Sequence, residues 1–181
     1  RGGAFGLSNT NKLIRFYSGA TGLKTGFTST AGYCLSATAQ RDGMELIAVV
    51  MGADTSTSRN NACKQLLDYG FANFSVIVPE LTEAEPVGVK LGKSETVDAV
   101  LGDSSGLLID KAQKSGVSME LSMAESVTAP VSRGQRLGTL TVKTGEQILK
   151  EVPLVAAEGV ERMSLGDLFG MVFRRAAMAK V

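Results

Sequence analysis

The sequence predicts an α+β chain: an antiparallel sheet covered by a helix, followed by a small all-β sandwich. Three observations carry this. In residues 33–40, Tyr33, Leu35, Ala37 and Ala39 alternate with Cys34, Ser36 and Thr38, the period of a half-buried strand. Residues 54–71 place several candidate caps ahead of apolar positions at helical spacing. Residues 75–160 hold all four prolines and a series of short apolar runs broken by turn signals, the rhythm of a sandwich.

Taken in order, Ser8-Asn9-Thr10-Asn11 reads as a polar turn or cap before a short element at 12–17. After the strand at 33–40, Arg41-Asp42-Gly43 is a hairpin signal, because Asp-Gly supplies the positive φ angles of a tight turn. Residues 46–51 form a near-continuous apolar run, expected to be a central strand buried on both faces. Asp54-Thr55-Ser56-Thr57-Ser58 then offers N-caps for a helix whose stripe is Cys63, Leu66, Leu67 and Phe71, with Gly70 as its stop. Residues 1–74 thus read as strand, hairpin, strand and helix. Such a sheet has no fourth side to its core, so it is expected to be the C-terminal part of a larger domain. The opening Arg1-Gly2-Gly3-Ala4-Phe5 fits that expectation, since it reads like the inside of a longer polypeptide.

In the second half, strands are expected at 75–78, 87–91, 107–109, 119–121, 137–142 and 151–155, with 124–133 in the same rhythm and a turn at Arg133-Gly134-Gln135. The tail differs. Ser164 and Asp167 resemble a capping box, and Leu165, Leu168, Phe169, Val172, Phe173 and Ala176 share one helical face, with Arg174, Arg175 and Lys180 late. Such a helix suits a membrane interface or docking on its own domain.

Composition narrows the chemistry. The chain has 181 residues, 44% of them apolar, which is enough for a packed core. Residues 1–74 carry seven Lys/Arg against four Asp/Glu, 75–160 eight against twelve, and the rest four against two. No block has the basic density of a nucleic-acid footprint. The absence of His excludes histidine bases, Ser-His-Asp triads and most zinc sites. Cys34 and Cys63 cannot make a four-thiolate site, and apolar surroundings suggest buried free thiols, with a bridge between them still open. No metal and no cofactor is expected.

One stretch carries chemistry. Gly19-Ala20-Thr21-Gly22-Leu23-Lys24-Thr25-Gly26 surrounds a lysine and a threonine with glycines. Glycine lets a ligand approach the backbone, and an ammonium beside a hydroxyl suits an anionic group. The functional reading is a carboxylate- or phosphate-binding strand edge; the plain one is a glycine-rich surface turn.

The runs Asn9-Thr10-Asn11-Lys12-Leu13, Gly19 through Thr28, Ala31-Gly32-Tyr33-Cys34-Leu35, Leu46-Ile47-Ala48-Val49-Val50-Met51-Gly52 and Leu66-Leu67-Asp68-Tyr69-Gly70-Phe71 resemble the low-molecular-mass penicillin-binding proteins. These are the serine-type D-Ala-D-Ala carboxypeptidases of peptidase family S11. Gly138-Thr139 and Glu151-Val152-Pro153-Leu154-Val155 resemble that family's C-terminal β-sandwich, and the tail its membrane anchor. The resemblance implies that 1–74 is the C-terminal part of the catalytic domain, of penicillin-binding/β-lactamase-like fold. It implies a β-sandwich domain at 75–160 and an amphipathic membrane-associating helix at 161–181. Its expected partners are a peptidoglycan stem peptide ending in D-Ala-D-Ala, β-lactams, a membrane surface through 164–180, and the N-terminal remainder of the catalytic domain. Its expected place is the extracytoplasmic face of the bacterial cell membrane.

By the same resemblance, Lys24 and Thr25 would bind the substrate's terminal carboxylate, Lys24 also setting the local field. Gly26 would keep the strand edge open, and the Phe27 backbone N–H would be an oxyanion donor. Arg59, just before the helix, would assist with the carboxylate. The family's other motifs, Ser-x-x-Lys and Ser-x-Asn, are not carried over: no Ser-x-x-Lys occurs in these 181 residues. Thr21-Gly22-Leu23-Lys24 and Ser58-Arg59-Asn60 have the right spacings in the wrong places, and Lys143-Thr144-Gly145 reads as a hairpin turn. The chain alone is therefore expected to be inactive. The rival is a non-catalytic cell-wall or protein-interaction module that kept the scaffold.

Overall fold

A computed structural model describes residues 2–3, 8–82 and 84–178. In chain order the elements are α1 Leu13–Phe16, β1 Ala20–Thr28, β2 Gly32–Arg41, β3 Met44–Ala53, α2 Ser56–Asn73, β4 Phe74–Ile77, β5 Val87–Lys90, β6 Thr96–Val97, β7 Ala99–Leu101 and β8 Leu107–Asp110. A 3-10 helix at Lys111–Gly116 leads to β9 Val117–Met123, β10 Ser126–Thr128, β11 Arg136–Thr144, β12 Gln147–Ala156 and α3 Leu165–Met178. The chain forms two compact units. One runs to Ile77 and adds Leu108–Lys114; the other comprises Val78–Leu107 and the chain from Ser115 onward.

In the first unit, β1, β2 and β3 form an antiparallel sheet in that order. Asp42 (φ 49°) and Gly43 (φ 76°) turn β2 into β3 through the left-handed region, as Asp-Gly requires. Leu35, Ala37 and Ala39 of β2 pack with Met44 and Ala48 of β3 beneath Cys63, Leu67 and Phe71 of α2. At the start of α2, the Thr55 hydroxyl accepts from Ser58 N–H at 3.0 Å and the Ser58 hydroxyl accepts from Thr55 N–H at 3.1 Å. This is a reciprocal capping box with serine at the usual glutamate position.

Several expectations need correcting. β3 is an edge strand among the described residues, not a central one, and only one face is covered: Ile47, Val49 and Met51 are exposed. An apolar run records hydrophobicity at each position but not what lies over it. In α2, Leu66 is exposed, and Arg59 takes its place on the buried face. Gly70 does not stop the helix, which continues to Asn73. A Cβ there would meet Leu46 Cδ1 at 2.4 Å, so glycine lets α2 lie close to β3. Cys34 and Cys63 are both free thiols, but Cys34 is only half-buried. The runs at 75–78 and 107–109 form β4 and β8, which pair with each other rather than joining the sheets of the second unit.

The second unit has two sheets, β10-β5-β6 and β7-β12-β11-β9. Val87, Val97, Val131, Leu137 and Val160 form one core cluster, and Leu140, Val152 and Leu154 another. Ala99 and Met123 pack against both clusters and so join them. Lys143-Thr144-Gly145 ends β11, and Gly145 (φ 56°) opens the tight turn into β12. The Lys143 ammonium is paired with Glu120, so this triplet is structural. At the tail, the Asp167 carboxylate accepts from Ser164 N–H at 2.9 Å and Asp167 N–H donates to the Ser164 hydroxyl at 3.2 Å, the expected capping box. Arg1, Ala4 and Phe5 of the opening stretch and Lys180 of the tail lie outside the described residues.

Candidate active site

The glycine-rich stretch is itself a strand, and β1 has no second strand beside it among the described residues. Half of its backbone hydrogen-bonding groups therefore face outward, as an extended peptide needs. Lys24 pairs with Ser36, Thr25 with Leu35, Gly26 with Cys34 and Phe27 with Tyr33. Alternation puts Thr25 and Phe27 on the face that α2 covers, with Leu35, and Lys24 on the opposite face. Lys24 and Thr25 thus present their polar groups from two sides of one edge. Lys24 is exposed, and its ammonium donates to Thr25 C=O at 2.7 Å.

Two residues upstream hold this edge in place. Asn11 is 1% exposed. Its amide Nδ2 donates to Gly22 C=O at 2.7 Å, and its Oδ1 accepts from Leu13 N–H at 3.1 Å. The neighbouring Thr10 hydroxyl lies 2.8 Å from the Thr25 hydroxyl. The polar run at 8–11 reads as a turn in the sequence; its long-range bonds to β1 have no local signature.

Gly26 sits where a side chain would have room. A Cβ there would touch Cys34 Cβ at 3.8 Å, an ordinary contact. Gly22 differs, since a Cβ would come 2.9 Å from the Thr38 hydroxyl. A side chain at 22 would therefore have to displace the Thr38 hydroxyl, whereas one at 26 would meet no obstacle. The Phe27 ring is exposed and lies 4.4 Å from the Tyr33 ring.

Arg59 lies inside the first turn of α2 rather than before the helix, and is 5% exposed. It donates from Nη1 to Cys34 C=O at 3.4 Å and from Nε and Nη2 to Asn60 Oδ1 at 3.1 and 3.0 Å. Cys34 is the register partner of Gly26, so the guanidinium sits one strand behind the Lys-Thr-Gly edge. No carboxylate pairs with Arg59 among the described residues. A buried cation held by neutral oxygens alone keeps most of its capacity for an anion. Nearby, burial pushes the Cys63 thiol pKa up, against the opposing pull of Arg59, which leaves it a protonated packing group.

Ser58-Arg59-Asn60 is spent on the cap and first turn of α2. Among the described residues, no three His, Cys, Asp or Glu side chains gather to hold a metal ion.

The antiparallel sheet under α2 and the β domain that follows it both have counterparts among known proteins. Residues 3–55 match the family model of D-alanyl-D-alanine carboxypeptidase, and 77–162 match that of the penicillin-binding protein 5 C-terminal domain. The chain belongs to this family. D-alanyl-D-alanine carboxypeptidase DacF of Bacillus subtilis is 36% identical over 87% of the chain, and DacC of Escherichia coli is 33% identical over 91%. The chain spans 41% and 42% of the lengths of those two relatives. Among solved structures, penicillin binding protein 5 from Haemophilus influenzae aligns with a TM-score of 0.61 at 30% identity, over 84% of this chain and 46% of that one. A penicillin-binding protein 3 from Streptococcus pneumoniae aligns with a TM-score of 0.54 at 26% identity, over 86% and 48%.

Proposed function

We propose that this chain supplies the carboxylate-binding strand edge and C-terminal β domain of a serine-type D-Ala-D-Ala carboxypeptidase. That enzyme removes the terminal D-Ala of peptidoglycan stem peptides through an acyl-enzyme, and β-lactams acylate the same serine. The observation that carries the reading is the open edge of β1, with Lys24 and Thr25 on it and the buried Arg59 behind it without a carboxylate partner among the described residues.

The substrate's extended end lies along the outer edge of β1. Its terminal carboxylate is met by the Lys24 ammonium, the Thr25 hydroxyl and the Arg59 guanidinium, by charge-assisted hydrogen bonds. Gly26 lets the peptide approach the strand, and Phe27 N–H faces the scissile carbonyl, where negative charge develops during attack. The nucleophile and its lysine base come from a Ser-x-x-Lys that these 181 residues do not contain. A lysine base serves such a serine without histidine. This chain alone binds a peptide end but does not cleave it. The relatives' names favour this reading over a scaffold-only module, and an upstream Ser-x-x-Lys in the encoding DNA distinguishes the two.

The tail helix is the membrane-associating element, on the extracytoplasmic face of the bacterial membrane. Supporting this, Leu165, Phe169 and Phe173 are 77%, 76% and 78% exposed on α3. Among the described residues no helix is long and apolar enough to cross a membrane, and the exposed apolar side chains of α3 suit an interfacial association.

Fluorescent penicillin tests the core of the proposal. The longer natural protein containing these residues should carry a covalent adduct, and this chain should carry none. An adduct on this chain, or none on the longer protein, contradicts the assignment.

A further inference from the structure

The carboxypeptidase reading leaves one edge of the second unit without a role. β9 is terminal in the order β7-β12-β11-β9, so its outer backbone groups have no strand partner among the described residues. Met119 pairs with Val142 and Leu121 with Leu140. Side chains opposite each other share a face, so Met119 and Leu121 point to the side where Val142 and Leu140 are buried. Yet Met119 and Leu121 are 40% and 43% exposed. The core is open along this edge.

The opening continues into a cleft of about 450 Å³ between the end of β9 and the start of β5, walled by Val87, Leu121 and Met123, with Glu85 and Glu125 beside them. Neither of these carboxylates has an ion-pair partner among the described residues. Sheet edges are usually blunted by proline, lysine or inward charge. β9, Val-Ser-Met-Glu-Leu-Ser-Met, has none of these, and its single charge, Glu120, is already paired with Lys143.

We propose that the β9 edge and its cleft accept an extended segment of a partner protein, apolar at alternate positions and cationic at the end that meets Glu85 and Glu125. The added strand takes main-chain bonds from β9. Its inward side chains close over Met119 and Leu121, and its cation neutralises the two glutamates. A second copy of this chain fits less well: paired through its own β9, it brings another Glu120 and no Lys or Arg. The inference is independent of the chemistry at Lys24.

The test uses the isotope-labelled full chain and a short blocked peptide alternating valine and threonine and ending in lysines, with a twin ending in glutamates. The lysine peptide should slow amide exchange in β9 about tenfold at saturation, with shifts confined to β9 and residues 85–87. The glutamate twin should bind about tenfold more weakly, and a Glu85→Gln, Glu125→Gln double variant should erase that difference. Leu121→Lys, its folding checked by circular dichroism, should abolish binding. Equal binding of the two peptides, protection at another edge, or β9 protection by self-association without peptide would each overturn the proposal.

Discussion

Asn11→Ala isolates the residue that pins the site strand. The side chain is 1% exposed and bonds Gly22 C=O at 2.7 Å and Leu13 N–H at 3.1 Å. Truncation removes both bonds and leaves a buried carbonyl and a buried N–H without partners. At about 1–2 kcal/mol for each such loss, the first unit should be destabilised by about 2–4 kcal/mol. Asn11→Asp sharpens the test. It keeps the acceptor for Leu13 N–H but sets a carboxylate against Gly22 C=O, so it should cost more than alanine at neutral pH and less once protonated in mild acid. The assay is urea unfolding followed by tyrosine fluorescence. All three tyrosines, Tyr17, Tyr33 and Tyr69, lie in the first unit and there is no Trp, so the signal reports that unit alone. A loss below about 0.5 kcal/mol for Asn11→Ala, or an aspartate as stable as wild type at neutral pH, would refute the clamp.

Other outcomes follow from the same geometry. Burial, then the 2.8 Å hydrogen bond to Asp68, push the Tyr17 pKa up to about 12 against the pull of Arg41. The folded pKa lies above the unfolded value of about 10, so the stabilisation is present below about pH 10 and is lost as pH rises toward 12. Tyr17→Phe should remove that part of the alkaline decline, about 2 kcal/mol, in unfolding curves across this range. Gly26→Ala should leave the melting temperature unchanged, because its Cβ meets only Cys34 at 3.8 Å, while slowing penicillin acylation of the longer protein about tenfold or more by crowding the edge. Equal acylation rates would remove Gly26 from the site. Deleting residues 161–181 should abolish flotation with anionic liposomes, and equal partitioning would sink the membrane assignment.

How far the sequence could be read depended on whether the signal was local. β2 and its hairpin were legible because period-two burial and the Asp-Gly turn each occupy a few adjacent residues. The capping box of α3 was legible for the same reason, whereas for α2 the sequence offered several candidate caps and not the reciprocal Thr55–Ser58 box. β3 misled, because Ile47, Val49 and Met51 are as apolar as a covered face while standing exposed. Gly70 reads as a helix stop by type, but its reason is Leu46 on another element. The pairing of β4 with β8 depends on residues thirty positions apart in sequence. At the site, Lys24, Thr25 and Gly26 could be placed on an edge from sequence. The clamp by Asn11, the Thr10 contact and the burial of Arg59 could not, since each is a tertiary bond from a residue type common on surfaces.

The central claim is that β1 binds a peptide's terminal carboxylate through Lys24. Its most direct test is D-Ala release from a D-Ala-D-Ala peptide by the longer natural protein and its Lys24→Ala variant, with melting temperature as control. The account predicts a fall in kcat/KM of about a hundredfold or more with unchanged melting, since an exposed edge lysine contributes little to the fold. Wild-type kcat/KM in the variant would contradict it.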